Sequence, residues 1–262
     1  MFDFEVLNEK TPIVSCHKIN SSFAKMSNSF ERNWIYHKDF DITEFIGESL
    51  SEIRKIRSVH YFPGCFDDKN KTLYSGRSYK EKCIRTCSFD FMDENKKYFS
   101  SLSLGNLTRA KDDHLQFLLD NCKDDKNREA FINEMLELMA LDVFMEQRDR
   151  KNNTVYEKSC DGVLRLAPVF DYEHSFFEKE DYVGPYLYES DLGTFYCEED
   201  YWRLIDRYPH FRTILCSYLN VNLEKEIRKM FEERSFSIEG FDLDFYKRCD
   251  ERNHKRLEKI LN

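Results

Sequence analysis

The stretch Leu136–Phe177, LELMALDVFMEQRDRKNNTVYEKSCDGVLRLAPVFDYEHSFF, decides the fold. A helix is predicted over 127–147, because Phe131, Met135, Leu138, Leu141 and Met145 recur on one side and Ile132, Leu136, Met139 and Val143 on the other. A helix that is apolar nearly all round belongs inside a domain. It stops at Gln147-Arg148-Asp149-Arg150-Lys151-Asn152-Asn153, whose charges and amides could not follow it into a core without partners. Those groups must face a site or solvent.

The residues that follow decide between the two. Thr154-Val155-Tyr156 and Val163-Leu164-Arg165-Leu166 are short β-favouring runs, and Ser159-Cys160-Asp161-Gly162 between them ends in the Asp-Gly of a tight turn. A hairpin there carries the chain out and straight back, so that Asp171 returns beside Asp149 and Asn153. An acid and an amide on one loop, then an acid after a hairpin, is the layout by which kinases place a catalytic Asp, a metal-binding Asn and a second metal-binding Asp.

The 262 residues, 41% hydrophobic and 15% aromatic, are ample for a core and fit one two-lobed domain or two small ones. Nine cysteines with no Cys-x-x-Cys pair and no accompanying His-x(3 to 5)-His run read as reduced thiols of a cytosolic protein, not as a zinc site. The net charge of -9 argues against a general nucleic-acid or anionic-membrane surface, though it leaves room for a local basic patch. MFDFEVLNEK has neither a basic n-region nor an apolar h-region, and no run has the length of a spanning helix. A cytoplasmic location with no membrane and no nucleic-acid partner is the expectation.

Working outward, Phe2 to Val14 could supply an opening strand, and His17 to Arg32, with Asn20-Ser21-Ser22, reads as a polar loop. Asn33 to Lys38 reads as a strand, and 43–56 as a helix capped by Asp41 or Thr43. A strand lysine followed by a helix glutamate can hold nucleotide phosphates, with Glu44 and Glu48 as the candidate acids. Taken alone, a solvated Lys38 and a wet helix face explain the same residues. Strands are predicted near 58–66 and 82–89, followed by a polar stretch, and helices at 114–121, 201–220, 221–231 and 242–261. The order is β-rich first and α-rich later, an α+β class. Trp202, Phe211 and Tyr218 at near-helical spacing read as core, and His174 as a polar loop residue, since no Gly-x-Ser-x-Gly elbow accompanies it.

In this order the motifs resemble the HipA-like kinases, and within them the compact branch of CtkA-type bacterial serine/threonine kinases. The residues that carry the likeness are Trp34 to Lys38, Glu44 to Leu50, Ile84 to Phe89, Gln147 to Asn153 and Leu166 to Asp171. The resemblance implies a two-lobed kinase fold, with a small β-rich nucleotide-covering lobe over 1–90 and a helical catalytic lobe over 91–262. It implies ATP with Mg²⁺ as cofactors and phosphoryl transfer to Ser or Thr hydroxyls of a protein partner, with autophosphorylation.

Carried over by motif, Asp149 matches the catalytic base, and Asn153 and Asp171 the metal ligands. Lys38 matches the phosphate-binding lysine and Glu44 its partner. Ile84, Arg85 and Thr86 fall in the segment that would link the lobes and meet the adenine. Ser21 and Ser22 would lie over the phosphates. Asn152 and Asn153 stand three and four residues after Asp149 where five is the pattern; Asn153 is preferred because a strand follows it directly. No glycine lies between Phe4 and Gly47, so a Gly-rich phosphate loop is absent. A kinase-shaped scaffold without catalysis and a small-molecule or phosphoinositide phosphotransferase are the other two readings.

Overall fold

The computed structural model describes residues 24–27, 33–36, 41–67, 72–74, 84–89, 91, 95–100, 113–176, 188–236 and 238–262. Ser21, Ser22, Lys38 and the expected opening strand lie outside them.

The first half is organised by a five-stranded antiparallel sheet. Its strands are β1 (Ala24–Ser27), β2 (Asn33–Tyr36), β3 (Tyr61–Asp67), β4 (Thr72–Tyr74) and β5 (Ile84–Phe89), in the spatial order β1-β2-β5-β3-β4. Here β1 is a correction, because it falls inside the stretch expected to be a polar loop. Between β2 and β3 runs helix α1 (Ile42–Ile53), and it is Asp41, not Thr43, that caps it, accepting from the Thr43 amide at 2.8 Å. The strand expected over 82–89 forms. Ile84–Thr86 belong to β5, where Cys65↔Ile84 to Pro63↔Thr86 pair with β3, and Cys87 and Ser88 are laddered on both sides, by β2 and β3.

The second half contains six more helices among the described residues. They are α2 (Asp113–Asp120), α3 (Asp125–Met145), α4 (Glu198–Arg207), α5 (His210–Tyr218), α6 (Leu223–Glu233) and α7 (Leu243–Leu261). The predicted helix over 201–220 is two helices, because the break falls at Tyr208-Pro209 and a proline cannot continue the preceding helix. Trp202 is 41% exposed, its indole N–H donating to Ile260 O, whereas Phe211 and Tyr218 are buried as expected. No helix among the described residues is long and apolar enough to cross a membrane.

Helix α3 is the axis. Asp124 caps its start through the Asn127 amide, and ten of its residues from Met135 to Met145 are buried, including every residue from Leu138 onward. The predicted hairpin forms as β7 (Val155–Lys158) and β8 (Leu164–Leu166), closed through Gly162 at φ +88°, and a strand not foreseen, β6 (Lys97–Ser100), adds to its free edge. A second unforeseen hairpin is β9 (Tyr188–Ser190) with β10 (Gly193–Phe195). The two halves of the chain are stitched where Val59 N–H donates to Val169 O at 3.0 Å and Val169 N–H to Arg57 O at 2.8 Å, and where Arg234, at the end of α6, donates to Tyr61 O and to Glu48.

Candidate active site

Helix α3 ends at Glu146, which takes the left-handed conformation (φ +56°) and turns the chain sharply into the polar loop. What holds that loop is one buried side chain. Gln147 donates its amide N–H to Asp171 O at 2.8 Å and accepts the Asp149 N–H on its Oε1 at 3.0 Å. A single amide therefore clamps the two loops on which the expected catalytic and metal-binding acids sit. Arg148 N–H adds a bond to His174 O at 3.3 Å.

Arg150 fixes the same pair of loops from the other side. Fully buried, it donates twice to the Asp142 carboxylate, at 2.9 and 3.0 Å, once to Phe170 O at 2.8 Å, and it lies 5.4 Å from the centre of the Tyr172 ring. Asp142 also accepts from Tyr188 Oη at 2.9 Å. Burial pushes the Asp142 carboxyl up, against the pull of Arg150, and burial would lower the Arg150 guanidinium were it not outweighed by Asp142.

The loop after the hairpin is equally constrained. Asp171 sits at φ +63°, a conformation that a non-glycine residue adopts at a cost. Its N–H donates to Tyr61 Oη at 3.0 Å, and the next N–H, that of Tyr172, donates to Glu44 Oε2 at 2.9 Å. The Tyr172 ring lies across α1 at Gly47, where a Cβ would stand 2.3 Å from ring carbon Cγ, and its hydroxyl meets Ser51 Oγ at 2.8 Å and Ser58 Oγ at 3.1 Å. A glycine in the middle of a helix is explained by that ring.

The hairpin therefore brings Asp149, Asn153 and Asp171 together, as the sequence implied, and α1 adds Glu44. Asn153 donates to Asp149 O at 3.0 Å and to its carboxylate at 3.3 Å. Lys151 pairs with Glu189 of β9 at 2.8 Å. Of the two glutamates weighed as the lysine's partner, Glu48 already accepts from His60, from the Tyr61 amide and from Arg234. Thr86 is buried and its hydroxyl accepts the Asp41 N–H at 2.9 Å, tying β5 to the start of α1.

Two atoms stand out. Asn153 Oδ1 and Asp171 Oδ1 are both buried with no hydrogen-bond partner, in a class of atoms that is nearly always satisfied. Burial first, then the charge of Glu173, pushes the Asp171 carboxyl up to about 7, and burial together with Asp171 pushes Glu44 well above the carboxylate range. Acids driven toward neutrality beside buried oxygens form a donor set that a cation would neutralise. Among the described residues no three His, Cys, Asp or Glu side chains could hold a metal by themselves. The donors fit Mg²⁺ nonetheless, which takes one or two protein oxygens and fills its shell with water and phosphate.

Asp142, Gln147, Tyr61 and Tyr172 had not been singled out from sequence. One signal was available, since Asp142 is a lone acid in the apolar run LELMALDVFM and a charge there demands a buried partner.

No protein-family model matches the sequence, and no curated protein matches it. Solved structures do. The proinflammatory kinase CtkA of Helicobacter pylori superposes with a TM-score of 0.55 at 11% identity, covering 96% of this chain and 95% of that one. HipA of Shewanella oneidensis, from a toxin-antitoxin complex with HipB and operator DNA, superposes with a TM-score of 0.58 at 12% identity, covering 95% of this chain. The match spans 65% of the HipA chain. At these identities the likeness is one of fold, and the fold is kinase-like.

Proposed function

We propose that this chain is an ATP-dependent protein kinase that phosphorylates Ser and Thr hydroxyls of a protein acceptor, itself included. In this reading residues 1–90 form a lobe over the nucleotide, with Lys38 and the Ser21-Ser22 loop at its phosphates, and 91–262 carry the catalytic and metal-binding loops. The free thiols of Cys122, Cys160, Cys197, Cys216 and Cys249 suit a reducing compartment such as the cytoplasm. The observation that carries the reading is the pair of buried, unpartnered oxygens, Asn153 Oδ1 and Asp171 Oδ1, on loops clamped together by Gln147.

Phosphoryl transfer asks mainly for positioning and for charge neutralisation. Asn153 and Asp171 would hold Mg²⁺, whose contribution when bound is to neutralise phosphate charge. Asp149, half-buried and steadied by the Asn153 amide, would orient the acceptor hydroxyl and take its proton as that oxygen bonds to phosphorus and the bond to ADP breaks. Glu44, placed by the Tyr172 N–H, would orient Lys38. Gln147 and Arg150 touch no substrate in this scheme and hold the loops in register.

The test is incubation with labelled ATP and Mg²⁺, with and without a generic protein acceptor, in the wild type, Asp149→Asn and Asp171→Ala. Label transfer is expected only in the wild type, and Asp171→Ala should also lose the Mg²⁺ dependence of ATP binding by calorimetry. One observation favours a scaffold instead, namely the absence of any glycine between Phe4 and Gly47. A wild type that binds Mg·ATP yet labels nothing would establish that second reading.

A further inference from the structure

Away from these loops, a cleft of about 640 Å³ opens between the N-terminal end of α4 and the outer face of α7. Its cations are Arg248, Arg252, Lys255, Arg256 and Lys259, and its acids are Glu198 and Glu251. Five positive charges against two negative ones is a local reversal in a chain whose net charge is -9. The cations recur at i, i+4, i+7, i+8 and i+11, so they form one stripe along α7 roughly 16 Å long, at 1.5 Å per residue.

The stripe is built in two tiers. Arg252 and Arg256 are held from behind by the buried carboxylate of Glu146, the residue that ends α3; burial would raise that carboxyl, and the two guanidiniums outweigh it and hold it low. Such anchoring orders the two forks before any ligand arrives. Arg248, Lys255 and Lys259 are exposed and have no ion-pair partner among the described residues. Opposite them stands an independent sign of a ligand. Tyr201 lines the cleft, is only 3% exposed, and its hydroxyl is buried without a hydrogen-bond partner.

We propose that this cleft binds a phosphomonoester carried on a polypeptide, a phosphoserine or phosphothreonine, with the α7 stripe and the Tyr201 hydroxyl as donors to the phosphate. Guanidinium forks match phosphate oxygens in geometry as well as charge, and a phosphate oxygen would supply the acceptor that Tyr201 lacks. An extended peptide suits a stripe longer than one anion. A nucleic-acid backbone would need cations along more phosphates than a stripe of this length offers. The choice of a Ser/Thr phosphate rests on the proposed activity, of which it is the product, and the phosphate could be this chain's own or another protein's.

The experiment is fluorescence anisotropy, without nucleotide, of a labelled alanine-glycine peptide bearing one phosphoserine, against the same peptide unphosphorylated. At least ~10-fold tighter binding of the phosphopeptide is expected, with most of that difference lost in Arg248→Ala/Lys255→Ala and part of it in Tyr201→Phe, none of which touches the catalytic loops. Prior incubation of the wild type with Mg·ATP should weaken peptide binding if its own phosphate fills the cleft, and leave it unchanged if the partner is another protein. Equal affinity for the two peptides, wild-type binding by the double variant, or stronger competition by a single-stranded oligonucleotide would overturn the proposal. Because nothing is transferred, failure of the kinase reading shows in the label assay and not here.

Discussion

Two polar clusters sit within a few residues of each other and are treated in opposite ways. Around Arg150 the guanidinium is shared between Asp142 and the Phe170 carbonyl, and Asp142 takes a further bond from Tyr188. Around Asn153 and Asp171 the backbones are pinned as tightly, yet each side chain keeps one buried oxygen without a partner. A folded chain can satisfy its buried polar groups when nothing else needs them, as the first cluster demonstrates. In the proposed reading, the difference separates groups that hold the loops from groups that would bind something from outside.

The comparison breaks most readily at Arg150. Removing it strands the Asp142 carboxylate in the core, and losing one partner of a buried ion pair costs about 3–5 kcal/mol. Arg150→Ala should therefore fall by that amount in chemical denaturation. A loss under about 1 kcal/mol, the size of an exposed pair, would mean that the satisfied cluster is not what holds the loops.

At Asp149 the effect should appear in rate and not in stability. Asp149→Asn keeps the size and hydrogen-bonding reach of the side chain but removes its capacity to take a proton, so turnover should fall by about 10²-fold or more while Mg·ATP binding persists. Retention of full activity would remove Asp149 from the mechanism. A parallel loss of nucleotide affinity would place it among the ligands instead.

Gly47 sharpens the comparison from a distance. On helix propensity alone, Gly47→Ala should stabilise α1 by roughly 1 kcal/mol. The Tyr172 ring forbids the extra methyl, and overpacking of this kind costs about 1–3 kcal/mol. The net should be destabilising, and because Tyr172 follows Asp171, ATP affinity should fall with it. A stabilised variant with normal affinity would show that the ring has room to move.

Much of this was legible in the sequence, for a local reason. The apolar helix, the Asp-Gly turn and the hairpin are specified by neighbours in the chain, so Asp149, Asn153 and Asp171 could be brought together on paper. What was missed depends on distant partners. Strand β6 is a strand only because Lys97–Ser100 find Val155–Lys158, and β9 with β10 is a three-residue-per-strand hairpin too short for periodicity to reveal. Gln147 looked like one more polar loop residue, since its value lies in reaching Asp171 O from another loop. Ile84–Phe89 were legible as a strand from their β-favouring composition alone. Only Pro209 was a local stop signal left unread.

The smallest expected effect tests the open cluster directly. Asp171 titrates near 7 in the folded protein and near 3.8 when unfolded, so between those values the folded state holds the extra proton. The stability this proton contributes is fully present below about pH 4 and is lost as pH rises through 7. Asp171→Asn has no such proton to lose. From pH 6 to 7 the wild type should therefore lose about 1 kcal/mol relative to the variant, by linkage for one group with those two values, read from parallel denaturation curves without nucleotide. Saturating Mg·ATP should reverse the trend, because a divalent cation at Asp171 favours the ionised carboxylate that burial disfavours. A pH-independent difference between the two proteins would mean that Asp171 is already neutralised by a partner within the fold, and the contrast between the satisfied and the open cluster would then disappear.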